Sequence, residues 1–407
     1  MSGNWPGGFI TKTAPTVVGP VGGEGGSASG VWTLDQVADY EKQGLWPKPL
    51  ISGNIYSWGD NEWGMLGDGT VTDRSSPVQV GALTTWSNAS GGFEFALAAK
   101  VDGTIWAWGR GNNGQLGQGG ATDYSSPVQV GALTNWSVIA AGGVSSYGVK
   151  TDGTLWTWGY NSRGQLGLND TAQRNSPVQV GALTNWAEVG GGTGNYPSGF
   201  AITTDGELYA LGGRNIFFGV LGLGDTTDRS SPVQVGALTN WSKIRAGDAF
   251  AAAIKTDGTL WAWGDGGNGA LGQGDTTSHS SPVQVGALTT WSDIKLGRYH
   301  CVAVKTDGTL WAWGKNNRGQ LGDGTVTNRN SPVQVGALTN WQKAGAGEEH
   351  SFASTTDGKL YAWGQNDQGQ LGKNNTTLYS SPVQVGSLTT WSKVFSTFGK
   401  WSYSLIS

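Results

Sequence analysis

The phrase SPVQVGALTNW begins at Ser126 and recurs, identically or with one or two letters changed, at Ser76, Ser176, Ser231, Ser281, Ser331 and Ser381. Its prolines, Pro77, Pro127, Pro177, Pro232, Pro282, Pro332 and Pro382, are spaced 50, 50, 55, 50, 50 and 50 residues apart. A period near 50 residues marks a propeller or a solenoid, in which each unit packs on its neighbours. Each unit also carries a hairpin signal such as VKTDGTLWAWG at 304–314, two β-prone runs flanking Asp307 and Gly308. Asp-Gly predicts a two-residue type I′ turn, because both central positions of that turn need positive φ. The pair recurs at Asp102, Asp152, Asp205, Asp257 and Asp357.

One unit therefore reads as four strands: SDIKLG after Trp291, then HCVAVKT, GTLWAWG and, after a long loop, PVQVG. The seventh phrase is followed only by SKVFSTFGKWSYSLIS, which supplies strands one and two. The missing strands three and four are GNIYSWG at 53–59 and PVQV at 77–80. Two half-units make one blade, so the expectation is an all-β, seven-bladed propeller of four-stranded blades over 51–407. Its ring is closed by pairing N- and C-terminal strands, which removes the exposed edges of an open solenoid.

Composition agrees with short strands and tight turns: the 407 residues include 70 Gly and 22 Trp and are only 13% charged. Trp106 and Trp108, with Trp156/Trp158, Trp261/Trp263 and Trp311/Trp313, alternate with small residues and point to one side of strand three. There they are expected to wedge between blades, each burial contributing at most about 4 to 6 kcal/mol. A sugar-binding platform is the competing reading of the same tryptophans. The repeat residues GEEHSFAS, DGxLxAWG and NNRGQLGDG resemble those of the regulator of chromosome condensation family. The resemblance implies the propeller fold. It leaves function open, since relatives look like nucleotide-exchange factors, secreted β-lactamase inhibitor proteins, or ligase and kinase accessory domains.

The copies differ in two loops. The loop after strand three reads DNEW, RGNN, YNSR, RNIFF, DGGN, KNNR and QNDQ, and the loop between strands one and two reads GFEF, GVSS, TGNYPSG, DAF, RYH, EEH and TFGK. In an up-and-down blade both leave from the same rim. The five extra residues of the longer unit fall there too, in 191–200 and around 215–218. That rim is expected to bind partners through Trp63, Phe93, Phe95, Tyr160, Arg163, Tyr196, Phe217, Phe218, Phe250, Arg298, Tyr299 and His300, residue types enriched at interfaces. Neutral drift of unrestrained loops is the alternative.

Little points to catalysis. His300 and His350 share one slot, filled elsewhere by Phe95, Ser145, Ser198, Phe250 and Lys400, and two histidines without a third ligand make a poor metal site. Calcium loops, phosphate cradles, dinucleotide fingerprints and hydrolase motifs are missing, so no catalytic residue, metal or cofactor is expected. A net charge of −4 with scattered Lys and Arg argues against nucleic acid. No stretch reaches the roughly 20 apolar residues of a membrane span, and no secretory signal opens the chain. The single cysteine, Cys301, fits a reducing compartment.

Residues 1–50 lie outside the repeat. Residues 1–30 are rich in Gly, Pro, Ser and Thr, and VWTLDQVADYEKQGLWPKP then predicts a short helix capped by Thr33 and Gln36. The string SGVWTLDQVADYEKQGLWP resembles segments of tailed-bacteriophage virion structural proteins. That resemblance implies an anchor formed by Trp32, Leu34, Val37, Tyr40, Leu45 and Trp46. The leading expectation is accordingly a non-enzymatic virion component, a tail fibre or receptor-binding protein or a capsid-surface decoration. It would be made in the host cytoplasm and oligomeric in the particle. It would be held to other virion proteins by residues 1–50 and would present its variable loops to a host surface protein or glycan. The rivals are a protein-binding propeller that inhibits or scaffolds an enzyme, as β-lactamase inhibitors and exchange factors do, and a lectin.

Overall fold

Seven four-stranded antiparallel sheets stand around one axis in the computed structural model, which describes residues 52–192, 197–213 and 218–407. The innermost strands are Trp86–Gly91, Trp136–Ala141, Trp186–Gly191, Trp241–Ala246, Trp291–Leu296, Trp341–Ala346 and Trp391–Phe395, and they number blades 1 to 7. Each contacts its counterparts in the two neighbouring blades. Strands follow one another outward within a blade, except in blade 7. There Asn54–Gly59 pairs antiparallel with Trp401–Ile406 over six residues, from Asn54 opposite Ile406 to Gly59 opposite Trp401, and Arg74–Gln79 completes the sheet. The closure expected from the two half-units is therefore present. The expected arm and helix of residues 1–50 lie outside the described residues.

Tryptophan holds the blades together. Trp58, Trp108, Trp158, Trp263, Trp313 and Trp363, the second aromatic of strand three, are fully buried. Each indole N–H donates to a backbone carbonyl of the preceding blade, those of Gln370, Met65, Gln115, Val220, Ala270 and Gln320, at 2.8 to 3.0 Å. Apolar packing and a satisfied polar handle thus act at the same junction. In blades 2 and 4 to 7 the Trp that opens the blade leans edge-on against this indole, as Trp136 does on Trp158 with centroids 5.8 Å apart, and in blade 1 Trp86 lies tilted against Trp108. Blade 3 departs from the pattern, because Leu211 stands where the Trp would be. Tyr147 of blade 2 compensates: it is buried, packs with Leu211 and donates its hydroxyl to Gln165 O at 3.1 Å.

Two local expectations are corrected. The Asp-Gly hairpins are three-residue loops, not two-residue type I′ turns: Gly103 N bonds Lys100 O at 3.1 Å and Lys100 N bonds Thr104 O at 3.0 Å. Only Gly103 has positive φ, at 77°. Such a loop needs positive φ at the Gly alone, and it forms equally at Asp205 and Asp357, where Glu207 and Lys359 follow the pair; in blade 1 Asp102 Oδ1 also accepts from the N–H and the hydroxyl of Thr104. Strand four also begins earlier than PVQV, at Arg329 in blade 5, with a bulge between Ala312 and Gly314 of its partner strand. Pro332 is tolerated because this is the outermost strand.

Candidate protein-interaction face

Antiparallel order within every blade brings the strand one-two loops and the strand three-four loops to the same rim, here the loop rim, and the Asp-Gly turns to the opposite one. Neighbouring one-two loops are tied by backbone hydrogen bonds around the axis: Phe93 N to Gly143 O, Gly143 N to Gly192 O, Asp248 N to Arg298 O, Arg298 N to Glu348 O, Glu348 N to Gly399 O and Phe398 N to Gly92 O. A belt of this kind fixes the positions from which the variable side chains project.

Three of the residues expected on this face are not available to a partner. Phe95, Phe250 and His300 are buried at 0, 1 and 0% exposure, since each opens strand two and turns inward. Phe95 and Phe250 lie in the cores between blades. His300 lies over Gly297, and His350 over Gly347, where a Cβ would come within 2.1 and 1.9 Å of the respective imidazole. His300 Nε2 meets Ser351 Oγ at 2.9 Å and His350 Nε2 meets Ser402 Oγ at 2.7 Å. Each serine already donates to a backbone carbonyl, of Gln320 or Gln370, so each imidazole is the donor to its serine. Burial pushes both imidazoles far down, to about 3. The seventh occupant of this slot is Trp401, not Lys400, because the TFGK loop is one residue longer and Trp401 takes the pairing position opposite Gly59. Among the described residues no group of three His, Cys, Asp or Glu is arranged to hold a metal ion. No helix among them is long and apolar enough to cross a membrane.

The remaining described candidates do reach the loop rim. The Arg110 guanidinium lies 4.2 Å over the Trp63 ring and its Nη1 is 2.5 Å from Glu94 Oε2, joining blades 7 and 1. Tyr160 is half-buried, and Arg163 is exposed with Asp228 at 3.9 Å. Phe93 and Phe218 are half-buried. Arg298 spans three blades, 3.4 Å from Asp248 and 2.6 Å from Glu348. Tyr299 donates its hydroxyl to the same Asp248 at 2.8 Å, and burial with that hydrogen bond pushes its phenol up to about 12. Tyr196 and Phe217 fall outside the described residues, as does every anchor candidate from Trp32 to Trp46.

The charged partners escaped the reading from sequence. Asp248, Glu348, Glu349, Lys315, Glu94 and Arg110 occupy the same variable loops, so their loop membership was the available signal. Lys315 Nζ is 2.6 Å from Glu349 Oε1, which also faces Arg318. Between blades 6, 7 and 1 the rim opens into a cavity of about 560 Å³ lined by Asp60, Glu62, Asp73, Phe93, Glu94, Glu348 and Lys400 among others. Burial, with Asp73 and Glu62 nearby, raises the Asp60 carboxyl. The arrangement offers hydrogen-bond acceptors and negative charge in a concavity floored by a rigid ring.

Comparison with known proteins places these features. A family model described as RCC1-like domain matches residues 197–404, and the regulator of chromosome condensation (RCC1) repeat matches 52–99, 102–147 and 152–194. The X-linked retinitis pigmentosa GTPase regulator of Canis lupus familiaris is 43% identical over 70 residues, 16% of this chain and 7% of that protein. The E3 ubiquitin-protein ligase HERC2 of Homo sapiens is 40% identical over 73 residues, 17% of this chain and 2% of that protein. The matched stretch is thus a small fraction of either relative. Among solved structures, Prp20p of Saccharomyces cerevisiae, described with its binding to Gsp1p and histones, has a TM-score of 0.76 at 19% identity, covering 87% of this chain and 91% of its own. Human WBSCR16 gives 0.76 at 21% identity, covering 87% and 100%.

Proposed function

Because this chain belongs to the regulator of chromosome condensation repeat family, we propose that it is a protein-binding propeller that holds a partner protein on its loop rim and so restrains or scaffolds it. Support comes from the family, whose relatives include a protein named as a GTPase regulator and one described by its binding to Gsp1p and histones. Both favour the protein-binding reading over the virion component expected from the resemblance at residues 29–47.

The observation that carries the reading is the rim itself: a belted ring whose loops join Arg298, Tyr299, Asp248 and Glu348 beside an acidic concavity. Charge at such a rim governs partner choice and association rate. The partner's contacting surface is basic, to complement Asp60, Glu62, Asp73 and Glu94. The test is affinity capture with the full chain, comparing wild type with Glu62→Lys/Glu94→Lys on the loop rim and Leu238→Ser on the turn rim. The partner set is lost with the first variant and kept with the second. Capture that survives the first variant and fails with the second refutes the assignment of the rim.

A further inference from the structure

The flanks of each blade are covered by its neighbours, so charged side chains on the innermost strands meet solvent along the axis. Blades 3 to 6 place Glu188, Lys243, Arg245, Asp293, Lys295 and Lys343 there, on alternate positions of adjoining inner strands. Arg245 Nη1 is 2.6 Å from Glu188 Oε1, and Lys295 Nζ is 3.9 Å from Asp293 Oδ1. Lys243 donates one N–H to Ser292 O and Lys343 is exposed. Four cations therefore share two carboxylates in a chain whose net charge is −4.

We propose that the axial channel at blades 4 to 6 is a binding site for a small oxyanion of two or more negative charges, a phosphate or a polycarboxylate, held by Lys243, Arg245, Lys295 and Lys343. Arg245 Nη1 is committed to Glu188 Oε1 and to Ile244 O, both at 2.6 Å, which leaves the Nη2–Nε edge of its planar guanidinium to face two oxygens of such a group, while each lysine supplies a point charge. First, the inner strands that carry these cations, Trp241–Ala246, Trp291–Leu296 and Trp341–Ala346, contact one another in turn, and Lys243 reaches across to Ser292 O of the next strand. Second, burial and then the Arg245 charge pull the Lys295 ammonium down to about 8, although Asp293 opposes this; a bound anion would relieve the repulsion. None of these four residues lines the acidic concavity, and the site does not depend on the protein-binding reading.

The experiment is isothermal titration of the full chain with inorganic tripolyphosphate and, separately, with citrate, at fixed ionic strength in chloride. Saturable one-to-one binding of either is expected, and the two ligands separate a phosphate from a carboxylate preference. Lys343→Gln, at an exposed residue, weakens that binding about tenfold. Glu188→Gln removes a competing carboxylate and tightens it by a similar factor. Opposite responses from two variants of one channel distinguish an anion site from general loosening of the fold. Absence of saturable binding of both ligands below about 1 mM, or affinities that neither variant changes, overturns the proposal.

Discussion

Acidification should destabilise the ring through His300 and His350. Both imidazoles are fully buried and held near 3, against 6.5 for a free histidine, with burial as the main cause. A folded-state value below the unfolded one means that the unfolded chain takes up protons first as pH falls. Stability is therefore intact above about 6.5 and declines with falling pH until about 3. Each histidine loses about 1.4 kcal/mol per pH unit in that window. Between pH 7 and pH 5 the loss is about 2 kcal/mol per residue and about 4 kcal/mol for the pair. Urea unfolding at the two pH values, followed by tryptophan fluorescence, measures it. The control is His300→Phe/His350→Phe, since Phe95 and Phe250 fill the equivalent positions over Gly92 and Gly247. The double variant should lose most of the pH dependence, because the ordinary carboxylates titrate below this range. Equal slopes for wild type and double variant would refute the argument and show the two histidines to be hydrated in solution.

Two further outcomes follow from the packing. Trp313→Leu removes an indole that is fully buried and bonded to Ala270 O, at a cost of about 3 kcal/mol or more, whereas Trp311→Leu, at a half-buried ring, costs less; calorimetric melting that ranks them in reverse contradicts the wedge role. A chain lacking residues 1–50 should retain the cooperative melting of the compact unit Ser52–Ser407, because every closing strand lies within that unit; a broad, uncooperative transition would show that the ring needs the missing segment.

The architecture was readable because it is written seven times. Phrase spacing gave the period, and the two half-units gave the closing pair Asn54–Gly59 with Trp401–Ile406. Side-chain direction was harder. Phe95, Phe250 and His300 stand beside genuine loop residues in sequence, yet each is the first residue of strand two, where the pleat turns it inward. One position separates a rim residue from a core residue, and variable letters do not reveal which is which. The same one-residue uncertainty put Lys400 in place of Trp401. Asp-Gly indicated a hairpin correctly but misled on its type, since a three-residue loop that needs positive φ only at the Gly accepts the same pair. The Arg298 ion pairs join residues 50 positions apart, Asp248 and Glu348, and only the stacking of neighbouring blades brings them together.

The seventh blade has a temporal consequence. Six blades consist of contiguous segments and can form as soon as each segment has left the ribosome. Asn54–Gly59, among the first strands made, must wait for Trp401–Ile406, among the last. Until then the nascent protein is an open arc with the strand edge of Asn54–Gly59 and the Trp58 face bare, so the interval before closure is when it is most exposed to aggregation and proteolysis.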